Sequence, residues 1–189
     1  MRTFNLGLLT AAFATVAAAT PARADGFITP YIGFNFGGDS ANCQSLTNCE
    51  EKRTNWGVTL GTTHGIFGFE ADFGYAPDFF GKTPEGDNAV LHFMTDLMVV
   101  VPAGPIQPYA FIGLGVIRPH AKLNASSLAA DKNAFGHDLG GGLNVFFTHS
   151  VGVHGELRNL RTFKDFTLPG FSSDKLDFWR GSAGVTFRF

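Results

Sequence analysis

The sequence predicts an all-β protein: an eight-stranded, antiparallel, up-and-down transmembrane β-barrel that follows a cleavable signal peptide. Three observations lead to this prediction. The 189 residues include 21 Phe and 24 Gly, and only 16% are charged, against about 25% in ordinary soluble chains. The apolar residues alternate with polar or small ones at the period of two that β-strands have. The segments between the alternating runs are alternately long and short, a pattern typical of transmembrane barrels.

The N-terminal residues 1–24 are expected to be a secretory signal peptide. A short basic start precedes apolar or small residues over 4–20, and the small residues Ala22 and Ala24 follow. This order matches the apolar segment and the A-x-A cleavage site of exported proteins. A retained membrane anchor is the alternative, but the apolar segment is short for a spanning helix, which needs about 20 residues. We therefore assign residues 25–189 to the barrel domain.

Eight alternating runs account for most of the remaining chain. In the clearest one, Phe67, Phe69 and Phe73 lie on one face, while Glu70 and Asp72 lie on the other. The other seven runs are found at 28–36, 55–62, 91–101, 109–117, 138–147, 151–158 and 179–189. Glycine is spread through the apolar segments and is unfavourable in helix interiors, so strands rather than helices are expected.

The connections between these runs predict which end of the barrel faces outward. They lie at roughly 37–53, 64–66, 77–88, 102–107, 119–133, 148–150 and 163–176. Bacterial barrels have short periplasmic turns and longer extracellular loops. The four long segments are therefore predicted to be extracellular loops. Phe79 and Phe80 fall in the second of them, either at a solvated tip or in a patch near the outer leaflet.

The composition of the two strand faces favours an apolar exterior. A soluble, lipocalin-type barrel with its apolar face inward is the alternative. The opposite face is rich in glycine and small polar residues, which suits the crowded interior of a narrow barrel. Aromatic residues also lie near the strand ends, as in the girdles of membrane barrels: Trp56, Phe67, Tyr75, Phe147, Trp179, Phe187 and Phe189.

The charged residues of the inward face are predicted to form one network. They are Glu70, Asp72, Asp96, Asp138, Glu156, Arg158, Arg180 and Arg188, with His92 and His154 nearby on the same face. An eight-stranded barrel is just wide enough for side chains to fill it, and buried charges must be paired because an unpaired one is very costly. We expect ion pairs and hydrogen bonds that hold the barrel together; a proton or ion path is the alternative.

The C-terminal segment 184–189 places apolar residues at alternate positions and ends in Phe189. It resembles the C-terminal signal of Gram-negative outer-membrane proteins, which implies recognition of Phe187 and Phe189 by the barrel-assembly machinery. Three further segments are similar to small eight-stranded OmpA/OmpX-like barrels: 68–75, 140–145 and 153–158. The resemblance implies a location in the cell outer membrane of a Gram-negative bacterium, in contact with lipid and lipopolysaccharide.

Barrels of this kind serve several functions. We expect a non-catalytic, monomeric surface or structural protein, or an adhesin-like one, that presents four extracellular loops. A narrow ion or small-solute channel and a lipid A-modifying enzyme are the alternatives. The resemblance implies a His-x-Ser pair on one strand for a deacylase, whereas this chain has adjacent His149 and Ser150 at a predicted turn. Adjacent strand residues point to opposite faces, so the pair is not where catalysis needs it.

Three kinds of partner are not expected. The formal net charge is −2 and no run of Lys or Arg occurs, which argues against a nucleic-acid partner. His64, His120 and His137 do not have the spacing of zinc ligands, and no motif indicates a cofactor.

The only two cysteines, Cys43 and Cys49, lie in the first long loop. In an exported protein this spacing predicts a disulfide that closes a small surface loop. Two free thiols are the alternative.

Overall fold

The computed structural model describes residues 25–40, 53–80, 82, 86–123, 128–131, 133–163, 166–168, 171–173 and 175–189. Among these residues, no helix is long and apolar enough to cross a bilayer. Cys43, Cys49 and the segment 1–24 lie outside the described residues, so the disulfide and the signal peptide stay predictions.

Eleven strands form along the described chain. They are β1 (Asp25–Phe36), β2 (Thr54–His64), β3 (Phe67–Pro77), β4 (Gly86–Val100), β5 (Ile106–Leu123), β6 (Leu128–Asp131), β7 (Ala134–Phe146), β8 (Val151–Thr162), β9 (Phe166–Leu168), β10 (Phe171–Ser173) and β11 (Asp177–Arg188). Their positions confirm the period-two interpretation of the sequence.

Eight of the strands close into a barrel. β1, β2, β3, β4, β5, β7, β8 and β11 each pair antiparallel with the next, and β11 returns to β1. In this closing pair Ile32 lies opposite Ala183. β6 pairs with the far end of β5, and β9 and β10 form a separate hairpin. The predicted eight-stranded, up-and-down, antiparallel barrel is confirmed.

Two predicted loops are shorter than expected. β4 already begins at Gly86 and β5 continues to Leu123, and these two residues are register partners. The sequence predicts loops over 77–88 and 119–133 because turn-forming residues interrupt the alternation there. Backbone N–H and C=O groups gain partners by continuing the ladder whatever the side chains are, which explains the longer strands.

The alternating faces lie as the sequence predicts. Ile32, Leu97 and Ile112 are 73%, 66% and 63% exposed on the outer wall. On the same strands, Tyr31 and Met98 point inward and are buried. The predicted apolar face therefore surrounds the barrel, and the opposite face of each strand lines the lumen.

The lumen is filled by three layers. The layer nearest the long loops is an apolar cluster of Ala76, Phe79, Phe80, Val90, Met94, Ile117, Leu160, Leu176 and Phe178. The layer nearest the short turns contains Phe27, Met98, Val100, Tyr109 and Phe111. The charged side chains described below lie between them.

The position of Phe79 and Phe80 corrects the expectation of a solvated tip or an outer patch. Both side chains are buried, and the Phe79 ring lies 4.7 Å from that of Phe178. Asp78 has a φ of 50° and turns the chain inward directly after β3. The Phe80 amide then donates a hydrogen bond to the Asn88 side chain at 2.8 Å. Removing two large aromatic side chains from water is more favourable than leaving them exposed in a loop. This segment therefore folds into the lumen.

Tight packing of the lumen makes the cost of an added methyl group depend on its direction. In Gly57→Ala, the new Cβ would meet the Phe73 carbonyl and the Tyr31 ring, whereas at outward-facing Gly155 it would meet nothing within 4 Å. We expect Gly57→Ala to lower the free energy of unfolding by about 1–3 kcal/mol, as overpacking does. Urea unfolding in lipid vesicles measures the change. The control Gly155→Ala should be neutral or stabilising; equal effects of the two changes would contradict the packing described here.

Candidate functional site

One guanidinium binds four carboxylates in the middle of the lumen. Arg158 on β8 donates from Nη2 to Glu70 Oε1 at 2.7 Å, from Nη1 to Asp96 Oδ2 at 2.7 Å, and from Nε to Glu156 Oε1 at 2.9 Å. Its Nη1 also donates to Asp138. Only arginine has five N–H donors in a rigid fork, and this fork ties β8 to β3, β4 and β7.

A second buried guanidinium extends the network toward β1. Arg180 on β11 donates from Nη1 to Asp72 Oδ2 at 2.8 Å and to the Tyr31 hydroxyl at 2.5 Å. Its Nη2 donates to Glu156 Oε1 at 2.8 Å. His92 Nε2 lies 2.8 Å from Asp72 Oδ2. Glu156 Oε1 therefore accepts hydrogen bonds from both arginines and joins the two halves of the network.

Aromatic side chains cover the arginines. The guanidinium carbon of Arg158 lies 4.0 Å from the centre of the Phe111 ring, and that of Arg180 lies 4.5 Å from the Tyr31 ring. Such cation–π contacts add to the ion pairs. The Tyr109 hydroxyl donates to Glu156 Oε2 at 2.9 Å. Neither tyrosine was assigned to the network from the sequence, because alternation shows the face of a strand and not the partners of a side chain.

Acidic groups outnumber basic groups in this network. It contains five carboxylates and two guanidiniums, and all of these side chains are buried. Arg158 and Arg180 make direct ion pairs with all five acids. Burial of the acidic side chains in the lumen therefore depends on ion pairs with these two arginines.

Arg188 corrects the sequence prediction, because it does not join the network. Its Nη2 donates to Gln107 Oε1 at 2.7 Å, and its guanidinium carbon lies 3.9 Å from the centre of the Phe146 ring. Arg188 is eight positions beyond Arg180 on β11, or about 26 Å along a strand at about 3.3 Å per residue. Its side chain cannot reach across that distance.

The remaining sequence candidates lie away from the charged network. His149 and Ser150 are exposed in the short turn between β7 and β8. Phe187 and Phe189 are 44% and 81% exposed and point away from the lumen. Within the described ranges, no group of three or more His, Cys, Asp or Glu side chains could hold a metal ion.

An apolar outer wall around a filled, charged lumen defines a small transmembrane β-barrel. The chain belongs to the family described as outer membrane protein beta-barrel domain, whose model matches residues 8–189. The protein is thus located in the outer membrane of a Gram-negative bacterium.

Solved structures of similar proteins share this fold. Neisserial surface protein A is 16% identical, with 87% of this chain and 97% of that chain covered and a TM-score of 0.62. Ail of Yersinia pestis is 12% identical, with 88% and 97% covered and a TM-score of 0.57. OprG of Pseudomonas aeruginosa is 13% identical, with 88% and 96% covered and a TM-score of 0.54. No curated protein sequence matches the chain.

The network predicts a large stability effect for the central arginine. Arg158→Met leaves buried carboxylates without their cation, and loss of one partner of a buried pair costs about 3–5 kcal/mol. Urea unfolding in vesicles should show a loss of this size. Adding Glu70→Gln should restore part of it, because one uncompensated charge is removed.

The matched control is Arg161→Met on the same strand. The Arg161 side chain is 48% exposed and lies 3.9 Å from Asp177, and exposed pairs contribute about 0–1 kcal/mol. Similar losses for the two variants would show that the central network does not stabilise the barrel.

Proposed function

We propose that this protein is a non-catalytic surface barrel: a rigid, sealed scaffold that presents four extracellular loops, as a structural or adhesin-like protein does. The observation that carries the proposal is the filled lumen. Buried charged side chains occupy its middle, and the apolar cluster around Phe79 and Phe178 covers them on the side of the long loops. Loops on a rigid scaffold are where binding functions usually lie.

A sealed lumen argues against the channel alternative. An eight-stranded barrel is just wide enough for its own side chains to fill the middle of the lumen. Val90, Met94, Ile117 and Leu160 are each 0% exposed at the outer end of the lumen. A hydrated ion would have to lose its water to pass between them, at high cost.

The length of two strands supports presentation at the cell surface. β4 has 15 residues and β5 has 18, whereas a tilted strand crosses a bilayer in about 9–11. The additional residues of β5 lie on the side of the long loops, where β6 pairs with them. This part of the sheet would stand above the outer leaflet and hold the neighbouring loops away from the membrane.

The arrangement of histidines supports a non-catalytic role without a cofactor. In the lumen, His92 contacts Asp72, and His154 Nδ1 lies 3.1 Å from Asn144 Oδ1. The adjacent pair His149 and Ser150 is exposed at the short turns. A serine nucleophile needs a histidine base within hydrogen-bond reach, and the resemblance to lipid A deacylases implies a His-x-Ser pair on one strand face, which this adjacent pair does not provide.

We extend the proposal to export and assembly. Residues 1–24 would be removed as a signal peptide, because a short basic start, an apolar segment and the small residues Ala22 and Ala24 precede Asp25. The outward-facing Phe187 and Phe189 would be read by the barrel-assembly machinery. One chain closes the whole barrel, which supports a monomer. Lipopolysaccharide would surround its outer half, and a Cys43–Cys49 disulfide would stiffen the first loop.

The sealed lumen predicts an absence of conductance. In planar bilayers, the purified protein should give no stable, large current steps, because the apolar and charged layers leave no hydrated path. A sixteen-stranded porin in the same bilayer is the positive control. Regular steps that scale with protein concentration would contradict the proposal and favour the channel.

A strain that lacks the gene tests the surface role. We expect reduced adhesion to surfaces or raised envelope permeability, each restored by the wild-type gene, because the loops or the scaffold are lost. Mass spectrometry should find identical lipid A in both strains. A missing or additional acyl chain would instead support the enzyme alternative.

A further inference from the structure

A cavity of about 330 Å³ opens at the periplasmic mouth of the barrel. It lies between two short turns, 101–105 and 147–150, which a hydrogen bond from the Phe146 amide to the Pro105 carbonyl holds together at 2.8 Å. Its walls include Pro105, Gln107, Phe146, Phe147, His149 and Arg188. The cavity is separate from the charged network, and the surface role proposed above does not use it.

The guanidinium of Arg188 is held in one orientation in this cavity. Gln107 Nε2 donates to the Gly104 carbonyl at 3.4 Å, which leaves Gln107 Oε1 to accept from Arg188 Nη2 at 2.7 Å. The Phe146 ring covers one side of the guanidinium at 3.9 Å. A guanidinium fixed in this way loses little conformational freedom when it binds a ligand.

The same cation has no acidic partner within the part of the chain that the structure describes. Arg158 and Arg180 each pair with carboxylates, whereas the only side-chain hydrogen bond of Arg188 in that part is to a neutral amide. The cavity thus presents positive charge to the periplasm. This charge would attract an anion.

The shape and lining of the cavity indicate which anion. The arginine fork matches a carboxylate or a phosphate with two parallel hydrogen bonds. A volume of about 330 Å³ is at the lower end for ligand sites, which span about 300–1,000 Å³. Pro105, Phe146 and Phe147 would surround an apolar group beside the anion. A carboxylate attached to a small apolar residue fits these features better than a phosphate, which is more strongly hydrated.

We propose that this cavity binds the C-terminal carboxylate of a periplasmic peptide that ends in a small apolar residue. Arg188 binds the carboxylate, Gln107 positions the arginine, and the aromatic walls contact the last side chain. Through this site the barrel would be linked to a peptide on the inner side of the outer membrane.

Isothermal titration of the full barrel in lipid nanodiscs tests the proposal. The probe is acetyl-Ala-Ala with a free carboxylate, and the matched ligand is its C-terminal amide. The acid should bind at least tenfold more tightly than the amide. Arg188→Gln should weaken binding of the acid at least tenfold, because the charge is lost while a polar side chain remains.

Arg161→Gln is the control variant, since it removes the same charge at the opposite end of the barrel and should leave binding unchanged. Gln107→Ala, which keeps the charge but releases the guanidinium, should weaken binding several-fold and serves if Arg188→Gln fails to fold. Circular dichroism and electrophoretic mobility establish folding of each variant.

Three results would overturn the proposal. They are equal affinity for the acid and the amide, unchanged binding by folded Arg188→Gln or Gln107→Ala, and tighter binding of inorganic phosphate than of the peptide. None of these results affects the conductance, adhesion or lipid A measurements, so the proposed surface role is tested independently of this cavity.

Discussion

Two buried arginines are the constraint on which the interior of this barrel depends. Arg158 and Arg180 are register partners on the neighbouring strands β8 and β11, and they share one oxygen of Glu156. The attraction between opposite charges is strong where water is excluded, and an unpaired charge there is correspondingly costly. Together with β11, which carries Arg180, their ion pairs and hydrogen bonds link six of the eight barrel strands: β1, β3, β4, β7, β8 and β11. One polar cluster therefore opposes deformation of most of the wall.

The apolar exterior and the charged interior are two results of the same closed sheet. Lipid cannot accept hydrogen bonds from the backbone, so the sheet has to close and satisfy every strand through its neighbours. Alternation then places one residue in lipid and the next in the lumen, as Phe69 and Glu70 on β3 do. The high phenylalanine content therefore covers the outside of the protein, and several of its few charges lie inside.

Sequence patterns predicted the parts of the structure that depend on alternation and failed where contacts between distant residues decide. Phe79 and Phe80 follow β3 in a loop, and only the space left above the charged network draws them inward. The sequence predicts the correct face for Arg188 but not its position along the barrel axis. Alternation carries no information about which residues of separate strands are at the same position along that axis. The shared oxygen of Glu156 also depends on register across β8 and β11.

The sequence by itself determined the class of fold, the number of barrel strands, the face on which each residue lies and the end that carries the long loops. These follow from local alternation and from the lengths of the connections. Tertiary structure alone decided which charges meet, how the lumen is closed, and that Arg188 faces a separate cavity. Those outcomes depend on the register and closure of the sheet, which bring together residues far apart in the chain.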